Sequence, residues 1–98
     1  MNTTKLKKRA TCDLQFILKT PQGRRVLWQL LQAAQVRQHG FVPGDALATA
    51  FHCGQRSIGL FLLDELEQAH PGAYQQMRRE YLAETISAQH QLEENEND

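Results

Sequence analysis

Ninety-eight residues with eleven Lys and Arg against eleven Asp and Glu give a chain of formal charge zero, a length that suits one domain. No apolar run approaches the ~18 residues of a membrane span, and MNTTKLKKRATCD has no apolar stretch behind its charges, so neither a transmembrane helix nor a secretory signal is expected. The zero also hides a gradient, with residues 1–25 at +6, residues 26–63 at +1 and residues 64–98 at −7, an asymmetry that bears on partners rather than on fold.

The periodicity predicts an all-α protein, a compact array of about four helices over roughly 6–19, 21–38, 45–69 and 71–89, with no sheet. In the first, Ala10, Leu14, Ile17 and Leu18 recur at helical spacing, and Thr3 and Thr4 are candidate caps. Thr20-Pro21 reads as an N-cap followed by proline at the first helical position. The second helix then places Leu27, Leu30, Leu31 and Ala34 on one face, and His39-Gly40 ends it. Phe41-Val42-Pro43-Gly44 is a loop whose apolar residues are expected in the core. Asp45 caps a long third helix with a stripe at Leu47, Phe51, Gly54, Ile58, Leu62 and Leu66, widened by Ala50, Phe61 and Ala69. That spacing predicts a buried face. Gly54 and Gly59 weaken the helix, so a close approach of another backbone is expected there, with a local kink as the alternative. His70-Pro71 stops it, and the fourth helix carries Tyr74, Met77, Tyr81, Thr85, Ala88 and Leu92 before fraying near Gln89.

The organisation expected is a basic flexible arm over 1–9, one helical domain over 10–89 and an acidic disordered tail over 90–98. Nothing in it spells an enzyme. Phosphate-cradling glycine loops, nucleophile elbows and HExxH are all absent from the sequence. Cys53 beside His52 is the one nucleophile-like pair, and neighbours on a helix do not face one another. A zinc set can be drawn from Cys12, His39, His52 and Cys53, but structural sites supply ligands in closely spaced pairs, so neither a metal nor a cofactor is expected. The two cysteines read as reduced thiols.

Several residues stand out without chemistry of their own. Lys5, Lys7, Lys8 and Arg9, with Arg24 and Arg25, could contact nucleic acid through phosphates; the plainer reading is a solvated extension. Trp28 reads equally as core or as an exposed anchor. Arg24 and Arg25 sit in a first turn where the helix dipole disfavours cations, so a salt bridge to Asp64, Glu65 or Glu80, or a partner, must compensate. For Arg56 the expectation is a stem lying over the core and a guanidinium paired with Glu80 or Glu84.

Taken in order, Phe16-x-Leu18-Lys19-Thr20-Pro21-x-Gly23-Arg24-Arg25-Val26-Leu27, then Phe51-x-x-Gly54-x-Arg56-x-x-Gly59-Leu60-x-Leu62-Leu63, then His70-Pro71-x-x-Tyr74-x-x-Met77-x-x-Glu80 resembles a family of small helical proteins encoded among the virion and assembly genes of tailed bacteriophages, the Bordetella-phage type. The resemblance spans about residues 14 to 82. It implies a phage product, virion-associated or involved in assembly, located in the virion or the host cytoplasm, and not an enzyme. It also marks Gly23, Arg24, Gly54, Arg56, Gly59 and Glu80 as positions on which the fold or its contacts depend. The function expected is therefore a non-enzymatic interaction module that docks on other phage structural or assembly proteins. A DNA-binding accessory protein and an inhibitor of a host enzyme are the alternatives. Self-association stays open, because an apolar stripe can face its own chain or another copy.

Overall fold

The computed structural model describes residues 3–96. Its helices are α1 (Thr3–Leu18), α2 (Pro21–Ala33), α3 (Ala46–Ala69) and α4 (Ala73–Glu96), with no strand among the described residues. The architecture is all-α, as the periodicity predicts. Helix α1 packs chiefly on α3 and α2 chiefly on α4, with α2 and α3 also in contact. The array is spread rather than balled, measuring 62 × 43 × 16 Å. Its radius of gyration is 17.4 Å, against about 13 Å for a compact domain of this length.

Local chemistry sets the helix starts. The Thr20 hydroxyl accepts from the Gly23 amide at 3.0 Å, with Pro21 opening α2. The Asp45 carboxylate accepts from the Ala48 amide at 2.9 Å and opens α3. Glu67 does the equivalent for α4 from the preceding helix, accepting from the amides of Gly72 and Tyr74, each at 2.9 Å. These bonds satisfy amides that a helix start otherwise leaves unpaired.

The helix ends depart from the expected boundaries. Thr3 and Thr4 lie inside α1 rather than capping it. Helix α2 stops at Ala33 instead of continuing to 38, because Gln35 turns into the left-handed region at φ 55°. The turn delivers Val36 to the core, 5% exposed, against Gly59, so packing overrides local helical propensity. The start of α4 shifts to Ala73, since Gly72 takes φ 88°. The same helix does not fray near Gln89 but runs to Glu96. Glu, Gln and Leu make up six of the eight residues from 89 to 96, all good helix formers. Residues 3–9 of the basic segment are likewise the opening turns of α1.

The core is small. Leu31, Leu66 and Met77 are fully enclosed, with Leu18, Leu27, Trp28, Val36, Ala69, Ala73 and Tyr74 around them and Leu14, Leu62 and Leu63 at its edge. Trp28 is core, its ring 5.4 Å from both the Tyr74 and Tyr81 rings. Two glycines allow this packing. A Cβ at Gly23 would collide with the Ile17 carbonyl, and one at Gly59 with Ala34 and Val36. Gln15 ties α1 to the end of α3 by donating to the Ala69 carbonyl at 2.9 Å, and Gln55 donates to the Ala33 carbonyl at 2.6 Å.

Candidate interaction surface

Most of the stripe predicted to bury α3 faces outward. Leu62 and Leu66 do join the core region, but Leu47 is 86% exposed, Phe51 67%, Ile58 71% and Phe61 65%. At 100° per residue these four positions lie roughly a third of a turn round the axis from Gly59 and Leu66. The core covers only one side of this 24-residue helix, and no other described element covers these four side chains. Phe41 is also 65% exposed, contrary to the expectation that its loop tucks inward. That loop is held instead by Thr49, whose hydroxyl bonds both the amide and the carbonyl of Val42. From 46 to 63 α3 carries one charge, Arg56. An apolar, charge-poor and solvent-facing surface of this kind is a candidate contact site.

A second feature lies between α2 and α4. Arg24 Nε donates to both Glu80 oxygens, at 2.7 and 3.1 Å, and its Nη1 donates to the Leu18 carbonyl at 2.8 Å. This bond set joins the end of α1, the first turn of α2 and the middle of α4, and it offsets the unfavourable placement of a cation at a helix start. Arg25 faces Glu84 at 3.9 Å in the open, a pair of little energetic weight. Together with Trp28, Met77 and Tyr81 these groups line a cleft of about 190 Å³. Both glutamates there face arginines, so their geometry is that of a brace.

The other singled-out residues fall in separate places. Arg56 is half-buried and pairs with neither Glu80 nor Glu84; its Nε has no partner among the described residues. The pair expected of Arg56 belongs to Arg24, because α2 and not this part of α3 borders Glu80. Gly59 shows the expected close approach, whereas Gly54 does not: a Cβ there would meet open space. Lys7, Lys8 and Arg9 are exposed on α1, as is Lys5. Cys12 and Cys53 are exposed free thiols. His39 and His52 line one cleft beneath residues 35–42, and among the described residues no group of three or more His, Cys, Asp and Glu is placed to hold a metal. No described helix is long and apolar enough to cross a membrane.

Two contacts carry weight that the sequence did not signal. Arg37 stacks 4.5 Å from the Tyr74 ring centre and donates to its hydroxyl at 2.8 Å. Glu67 caps α4 across the His70-Pro71 turn. The acidic residue just ahead of a proline-glycine turn is the one local clue to the second, and nothing local announces the first.

The match to a known family covers this core. The family model described as Bbp19-like phage protein matches residues 14–79, a span holding Gly23, Arg24, Trp28, Gly59 and every core side chain. No curated protein and no solved structure matches the chain. With two thirds of its length covered by that match, the chain belongs to the Bbp19-like phage protein family.

Proposed function

We propose that this phage protein is a non-enzymatic interaction module, docking on other phage structural or assembly proteins in the virion or the host cytoplasm. One observation carries the reading: the outward apolar face of α3, with Leu47, Phe51, Ile58 and Phe61 each about two-thirds exposed or more. Isolated surface leucines need no explanation, but a row of large apolar groups along one charge-poor helix does. Leaving that row in water lowers solubility and gives a marginal domain nothing in return. The DNA-binding alternative loses one of its six cations, because Arg24 is held by Glu80 and the Leu18 carbonyl.

Purified particles and soluble extracts of infected cells test the reading, each probed for the chain and for phage proteins cross-linked to it. The expected result is a defined complex with a phage component, lost when Phe51→Glu and Ile58→Glu are combined while the variant keeps its helical signal. A chain absent from particles and captured with no phage protein contradicts it. Strong DNA binding that falls steeply with salt, undisturbed by those two substitutions, would favour the DNA-binding reading instead.

A further inference from the structure

Leu47, Phe51, Gly54, Ile58 and Phe61 follow one another along α3 at steps of four, three, four and three. That is the spacing with which two helices keep a single seam in contact over several turns. The set is close to symmetric about Gly54. A second α3 laid antiparallel across it sets glycine against glycine, Phe51 against Ile58 and Leu47 against Phe61.

Three further observations name the occupant. Gly54 weakens a helix interior, and nothing inside the chain accounts for it, since a Cβ there would meet open space. A backbone arriving from outside does account for it, as Ala34 and Val36 do for Gly59 within the chain. The seam is also free of charge: Arg56, the sole charged residue between 46 and 63, lies roughly half a turn away from Gly54 at 100° per residue. A two-fold contact repeats each pairing on both sides of its axis, so a lone charge near Gly54 would meet its own copy. Finally, the chain exposes 7557 Å², whereas a folded monomer of this mass exposes about 5,700 Å². The surplus is shared between the α3 face and the open ends of α1 and α4, residues 3–10 and 81–96, and it leaves room for the roughly 800 Å² that each partner contributes to a stable interface.

We propose that the α3 seam is a self-association site, covered by a second copy of this chain in a two-fold contact centred on Gly54. The proposal rests on reading the α3 face as a protein contact surface. It adds the identity of the partner.

Sedimentation velocity on the full chain, from roughly 1 to 200 μM, reads association directly by mass action. The average mass rises toward twice that of the chain. Phe51→Glu combined with Ile58→Glu weakens association about a hundredfold or more, through like charges brought together in a desolvated contact, with the far-UV circular dichroism of the dilute protein unchanged. In a Cys12→Ser, Cys53→Ser background, Gly54→Cys forms a covalent dimer under mild oxidation far faster than Ser87→Cys on the exposed face of α4. A chain that is monomeric throughout, a dimer indifferent to the two glutamates, or equal cross-linking at 54 and 87 overturns the proposal. The two readings fail separately: a strict monomer that still enters particles ends self-association and keeps the interaction module, while a seam dimer that binds no phage component does the reverse.

Discussion

Helix α3 is two different helices by environment. Its last third, from Leu62 to Ala69, feeds the core with Leu62, Leu63, Leu66 and Ala69. Its first two thirds, from Ala46 to Phe61, carry side chains just as apolar but hold Leu47, Phe51, Ile58 and Phe61 in the open. Both stretches continue one periodic pattern. Periodicity thus shows that a face is built for burial and leaves unstated what buries it. In a chain of 98 residues the core is too small to cover both stretches, and the N-terminal one is left uncovered within the described residues.

The sharpest test of the difference is to truncate one leucine in each part. Leu66, fully enclosed, should cost about 2–5 kcal/mol on change to Ala, enough to unfold a small domain by thermal melting. Leu47→Ala, measured in dilute solution, should shift stability by less than about 0.5 kcal/mol. Equal losses would erase the distinction. The two glycines give the next contrast. Gly59→Ala should destabilise by about 1–3 kcal/mol, because the new methyl group overpacks against Ala34 and Val36. Gly54→Ala, with open space around it, should stabilise the dilute monomer by up to about 1 kcal/mol. Chemical denaturation of the pair checks both signs.

Away from α3 the effects are smaller. Arg24→Ala removes the three bonds linking α1, α2 and α4 and leaves Glu80 partly buried without them, costing about 1–3 kcal/mol. Arg56→Ala, with no ion pair to lose among the described residues, should cost less than Arg24→Ala; the same denaturation curves decide. Thr20→Ala removes the α2 cap for about 1 kcal/mol.

What could be read from sequence divides along a physical line. Caps were legible, because Thr20 and Asp45 act on amides three residues away and need no tertiary partner. The possibility of an Arg24–Glu80 pair was legible too, since a cation in a first turn demands compensation. The end of α2 was not: Gln35 leaves the helix so that Val36 can fill the space over Gly59, a bargain struck between segments more than twenty residues apart. Arg37 on Tyr74 is of the same kind. For the candidate surface, the residues were all identified and their direction was reversed. Leu47, Phe51, Gly54 and Ile58, with the flanking Phe61, belong to the predicted stripe, yet no other described element covers them.

Amide hydrogen exchange along α3, followed at low and high protein concentration, measures the two environments in one experiment. Exchange from 62 to 69 should be slow and independent of concentration, as befits the intramolecular core. Exchange from 46 to 61 should be faster in dilute protein and slow markedly as the concentration rises and copies cover the seam. Protection of both stretches that is the same at every concentration would contradict a self-covering α3 surface.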